Sequence, residues 1–208
     1  SYNESYAYAR QVRSDGKILV GGSTADSAYA FSGVVARYLS NGTPDPAFGT
    51  NGFAAVKVSG GDNFVYSMVE LNNHQILVAG TALDTGFRNQ PVVVRLNENG
   101  SIDSTFGVNG VAAIPVTEAD NRINKIAVQP DGRIVAAGHY GRPITNNGQF
   151  DFDILLARFT ADGLPDSTFS GDGILTDTIS PTYIDDIFGL ALTTGGRIAI
   201  AGYTTLPD

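Results

Sequence analysis

The chain has 208 residues, 13 basic and 21 acidic, for a net charge of −8, and 42% of its residues are apolar. That describes a folded, weakly charged protein with enough chain to bury a core. It lacks the clustered Lys and Arg needed for nucleic acid or an anionic membrane face. Without cysteine there is no disulfide, thiolate metal site or thiol nucleophile, and no apolar run approaches the roughly 18 residues of a membrane span.

The chain opens at Ser1 without an initiator Met or a recognisable signal peptide, which reads as a processed or excerpted piece. Its 25 glycines, polar loops and few lysines lean toward an extracellular or cell-surface setting.

Taken in order, the first elements are a strand-like "AYARQV" at 7–12, a turn "SDGK", a strand "ILVGG" ending at Gly22, and a strand "VVARYLS". A long turn, "NGTPDPAFGTNG", follows at 41–52. The order then returns: "VYSMVE" at 65–70, a turn "NNHQ", "ILVAG" to Gly80, "VVVRL", and "NENGSIDSTFGVNG". The third passage runs through "INKIAV" at 123–128, "PDGR", "IVAAG" to Gly138, "ILLARFT", "ADGLPDSTFSGDG" and "ILTDTI". A fourth begins with "IFGLAL" at 187–192, "TGGR" and "IAIAG", and stops soon after Gly202.

These runs are short, rich in Val, Ile, Leu and aromatics, and bounded by Gly, Asp, Asn and Pro, as strands are. None sustains the 3.6-residue period of a helix. The "DG" and "GG" turns are hairpin signals because their glycines take positive φ. His74 stands where the others have Gly16, Gly132 and Gly196, so that turn is expected to be less ideal or of another type.

The register is regular. Gly22, Gly80 and Gly138 are 58 apart and Gly202 follows after 64; Arg37, Arg95 and Arg158, and Phe48, Phe106 and Phe169, are spaced 58 and 63. The units are 5–62, 63–120, 121–184 and a half unit at 185–208, with five residues inserted within 139–157. A sandwich does not repeat its sequence in register, and a solenoid coil is about half this length. The expected fold is all-β, a propeller-like array of about three and a half four-stranded antiparallel blades.

The segments "DGKILVGG", "VARYLSNGTPDPAFGTNG", "VVRLNENGSIDSTFGVNG" and "LARFTADGLPDSTFSGDG" resemble the bacterial delta-60 repeat across about residues 5–203. The resemblance implies a propeller-like fold in large, often exported bacterial proteins, and no assigned activity. The His74 turn, the insertion and Ser170, in place of the glycine at 49 and 107, depart from it.

A polar residue present in every unit is a candidate for structure. Arg37, Arg95 and Arg158 are each followed eight residues later by Asp45, Asp103 and Asp166. We read these as intrablade pairs with two parallel hydrogen bonds, fastening the long turn to the third strand. A ring of arginines taking an anion is the alternative. Phe48, Phe106 and Phe169 are expected to plug the gaps between blades. No cofactor is expected. Calcium is the minority alternative at Asp162, Asp166 and Asp172, whose counterparts are Asn41, Asp45, Asn51 and Asn99, Asp103, Asn109.

Function is better sought in what does not repeat. The insertion "HYGRPITNNGQFDFD" offers His139, Tyr140, Arg142, Phe150, Asp151 and Asp153 as a binding loop, or else is solvated loop. His74 and His139, the two histidines, lie in different elements, which speaks against a two-His metal site. Asp185 and Asp186 alternate to opposite faces, and no nucleophile elbow, phosphate loop or HExxH is present. The function expected is a non-enzymatic binding or structural module of an exported or surface protein or assembly. Its partner is a protein or a second copy, joined through the incomplete terminal blade. The alternative is a fragment of a glycan-acting propeller enzyme, which should carry convergent carboxylates on its first strands. In the four windows above, Glu70 is the only acid.

Overall fold

A computed structural model describes residues 4–84, 86, 88–115, 120–143, 150–179 and 185–205. None of these is helical. They form three four-stranded antiparallel sheets and one two-stranded sheet, each in simple sequential order. The first sheet holds β1 (Ser5–Val12), β2 (Ile18–Ala25), β3 (Phe31–Tyr38) and β4 (Phe53–Val56). The second holds β5 (Asn63–Glu70), β6 (Ile76–Leu83), β7 (Asn89–Leu96) and β8 (Val111–Ala113). The third holds β9 (Asn121–Val128), β10 (Ile134–Pro143), β11 (Phe150–Phe159) and β12 (Ile174–Asp177). The half unit supplies β13 (Asp185–Leu192) and β14 (Ile198–Thr204) alone.

The first strands, β1, β5, β9 and β13, pack successively against one another, and β5, β9 and β13 also lie across strands of the preceding sheet. This is the arrangement of propeller blades with the first strand innermost. Apolar side chains alternate between the two sheet faces, so each blade buries one face on each neighbour. Leu19, Val35, Phe48 and Val56 meet Val65, Met68, Ile76, Val78, Val94 and Leu96 between the first two blades. Leu77, Val93, Phe106 and Ile114 meet Ile123, Ile134, Leu155 and Phe159 between the next two. The third interface is thinner: Ala137, Ile154 and Leu156 bury Ile187, with Phe169 and Leu175 at its edge.

Each inner strand carries a β-bulge at one position, at Tyr8, Tyr66, Asn124 and Phe188. Opposite it stand Gly22, Gly80, Gly138 and Gly202. A Cβ there would lie 1.8 to 1.9 Å from the carbonyl oxygen of Tyr6, Phe64, Arg122 or Asp186. The repeated glycine is therefore a steric requirement of the bulge, which turns the backbone and re-aims a side chain.

At the His74 turn the first of the two expected alternatives holds, a less ideal turn of the same type. His74 adopts φ 66° where Gly16, Gly132 and Gly196 have 81°, 87° and 75°. The same pair of backbone hydrogen bonds closes all four turns, as in His74 N–H to Leu71 O at 2.9 Å and Leu71 N–H to Gln75 O at 2.8 Å. The turn type is unchanged, and a histidine bears the left-handed conformation.

A candidate binding surface on the inner strands

The Arg–Asp positions organise one end of the array. Arg37, Arg95 and Arg158 each donate from Nε to the Oδ2 of Asp45, Asp103 and Asp166, at 2.8, 2.8 and 2.7 Å. The expected second parallel bond is replaced. The other carboxylate oxygen accepts from the turn itself: from Ala47 N–H, and from the N–H and hydroxyl of Thr105 and Thr168. The free guanidinium nitrogen instead reaches the next blade, Arg37 to Glu98 O at 2.6 Å and Arg95 to Ala161 O at 3.1 Å.

The guanidinium carbons of Arg37, Arg95 and Arg158 lie 4.6, 4.8 and 5.0 Å from the ring centres of Phe48, Phe106 and Phe169. Phe48 and Phe106 are fully buried, and their rings lie against Gly100 and Gly163 of the following blade. Phe169 is only half-buried. The Thr105 hydroxyl bond, with its amide and Arg95, holds Asp103 down at about 2 against burial. The Thr168 hydroxyl does the same for Asp166, also to about 2. Burial acts to raise Asp45, but the Ala47 amide, Lys17 and Arg37 outweigh it and leave it below its ordinary value. Of the calcium candidates, Asp166 is engaged by Arg158, Arg133 and Thr168, and Asp172 accepts from Ile174 N–H. Among the described residues no three acidic or histidine side chains are grouped to hold a metal ion.

The insertion residues fall on two faces. The extra length extends β10 and β11 to ten residues each, and 144–149 lie outside the described residues. His139 is buried on the face toward the half blade, against Phe152 at 4.6 Å and Asp186 at 3.1 Å. Asp151 and Asp153 are buried on the opposite face, where Arg142 reaches them at 2.5 and 3.3 Å. Tyr140 is half-buried beside the core between the second and third blades. Phe150 opens β11, and its side chain lies outside the described residues. The five candidates whose side chains are described therefore do not share one face.

The inner strands do bring residues together. Asp185 and Asp186 begin β13, so two carboxylates that the 187–192 window excluded belong to an inner strand. Asp185 accepts from Ile179 N–H at 2.7 Å. Asp186 takes Arg122 at 3.0 Å and Asn124 at 2.7 Å. Burial acts to raise Asp186, but the His139 ring, Arg122 and the Ile187 amide outweigh it and hold its pKa down.

Arg122 also stacks 5.2 Å from the Tyr66 ring centre. From there an aromatic row continues: Tyr66 to Tyr8 at 5.1 Å, Tyr66 to Phe64 at 6.0 Å, Phe64 to Phe31 at 5.2 Å, and Tyr8 to Tyr6 at 6.1 Å. The sequence reading missed this row. Its signal was present as variation at fixed spacing, since 6, 64, 122 and 186 read Tyr, Phe, Arg and Asp beside an unchanging glycine.

At the opposite end, Arg13 is buried against Glu70 at 3.1 Å, with His74 Nδ1 at 3.0 Å from its Nη2. Glu70, the acid noted on an inner strand, is thus also held by an arginine.

The family model described as "Domain of unknown function (DUF5122) beta-propeller" matches residues 13–48, 74–106 and 129–169, more than half of the chain. The chain belongs to this β-propeller family. Each segment of the DUF5122 match runs from the hairpin turn to the repeated Phe, and the inner strands β5 and β9 fall outside it. No curated protein matches the chain.

Proposed function

We propose that this DUF5122 propeller array is a non-catalytic binding and structural module of an exported or surface assembly, its repeats of the delta-60 kind. The open fourth blade is its joint to other chains. The observation that supports this most is the outer edge of β14, which has no neighbouring strand among the described residues, whereas β2, β6 and β10 each have a paired strand on both sides. Ile200 and Tyr203 are exposed there, and Phe169 is half-buried where Phe48 and Phe106 are fully buried. Such an edge is a template for a third strand from another chain. Glycan hydrolysis finds less support, because Glu70 and Asp186 are each neutralised by an arginine. Light scattering across concentration tests the joint. The expected mass rises above 21.8 kDa and returns to it in Ile200→Lys. A mass fixed at 21.8 kDa at every concentration overturns self-association as the joint.

A further inference from the structure

The inner strands repeat a backbone device and vary what it presents. At each bulge the glycine opposite is the same, yet the bulged residue is Tyr8, Tyr66, Asn124 or Phe188. Two positions earlier stand Tyr6, Phe64, Arg122 and Asp186. A scaffold that is constant in its geometry and variable in its side chains is how a recognition surface is built on repeats.

Blade packing does not consume the row. β5 is flanked by blades on both sides, and Val65, Ser67 and Met68 are buried there, yet Phe64 and Tyr66 remain only half-buried. Tyr6 and Tyr8 continue the surface at 44% and 45% exposure. At the other end Arg122 and Asp186 pair at 3.0 Å, so the row closes on a neutral couple beside the Asn124 amide. In a chain of net charge −8 this surface repels polyanions, and the guanidinium in the row, Arg122, is already paired with Asp186.

The chemistry that fits is a ligand with flat C–H faces and a rim of hydroxyls. Aromatic faces carry negative π density that attracts such C–H groups, while phenol and guanidinium groups take the hydroxyls. The Tyr6–Tyr8 and Phe64–Tyr66 pairs are near parallel at 17° and 5°, and Tyr8 meets Tyr66 at 59°. We propose that the row from Tyr6 and Tyr8 through Phe64 and Tyr66 to Arg122 is a binding platform for a neutral polysaccharide.

The test is affinity electrophoresis of the full chain in native gels containing β-glucan, xylan or galactomannan, with polygalacturonate as the charged comparison. Tyrosine fluorescence gives a second readout, since the chain has no tryptophan. At least one neutral polysaccharide should retard the chain and polygalacturonate should not. Tyr8→Ala and Tyr66→Ala should each weaken binding about tenfold. Tyr8→Phe should retain it, as should Leu164→Ala, an exposed apolar change in a long turn at the other end. If Tyr66→Ala does not fold, the Tyr8 pair decides. The proposal is overturned if no neutral polysaccharide retards the folded chain, or if retardation survives both tyrosine-to-alanine changes. It is equally overturned if those changes abolish only self-association, which would assign the row to a second copy.

Discussion

Replacing Gly80 by alanine tests the bulge-and-glycine device at its most constrained point. The added Cβ would lie 1.9 Å from Phe64 O and 2.9 Å from its carbonyl carbon. Carbon–oxygen contacts run at about 3.3 Å or more, so one backbone must retreat by over an ångström. Both contacts are backbone, on two strands flanked by blades, and no side-chain rotation relieves them. Losing one or two ladder hydrogen bonds at about 1 kcal/mol each, with overpacking of about 1–3 kcal/mol, gives a cost near 3 kcal/mol. For a chain of this size that lowers Tm by about 10 °C. Urea and thermal unfolding followed by circular dichroism measure it. Gly60→Ala, where a Cβ meets nothing within 4 Å, serves as the control and should change stability by less than about 0.5 kcal/mol. Equal stabilities for the two variants would refute the steric account of the repeat.

Two further outcomes follow from the other end of the blades. Phe106→Ala should cost about 3–5 kcal/mol by urea unfolding, and Phe169→Ala distinctly less, because its ring is already half open. Asp103 titrates at about 2 in the fold against an ordinary 3.8. Its depressed pKa means that its contribution is complete above pH 3.8 and is lost as pH falls through 2. The urea midpoints of the parent and Asp103→Asn should therefore differ by a constant amount at neutral pH and converge between these two values.

The fold was legible because a propeller blade repeats its requirements. Spacing alone placed Arg37, Asp45 and Phe48 in one recurring group, and the blades bring those side chains together. The bond pattern was not legible, since the Arg37 reach to Glu98 depends on how the next blade stacks. The role of Gly22 and its counterparts was also hidden, because a bulge on one strand is a property of its pairing with another. The insertion misled for a related reason. Strand alternation sends His139 and Asp153 to opposite faces, and only the pairing of β10 with β11 shows it. The inner row lay in the segments of highest variation, where a search for repeated residues does not look.

Hydrogen exchange along β14 tests the open joint most directly. At low concentration, where the chain is monomeric by mass, the outward-facing amides of Ile198–Thr204 should exchange far faster than the matching amides of Ile76–Leu83. They should become protected as concentration rises and the mass increases. Equal protection of the two strands in the monomer would show that the fourth blade has no free edge, and would contradict the account.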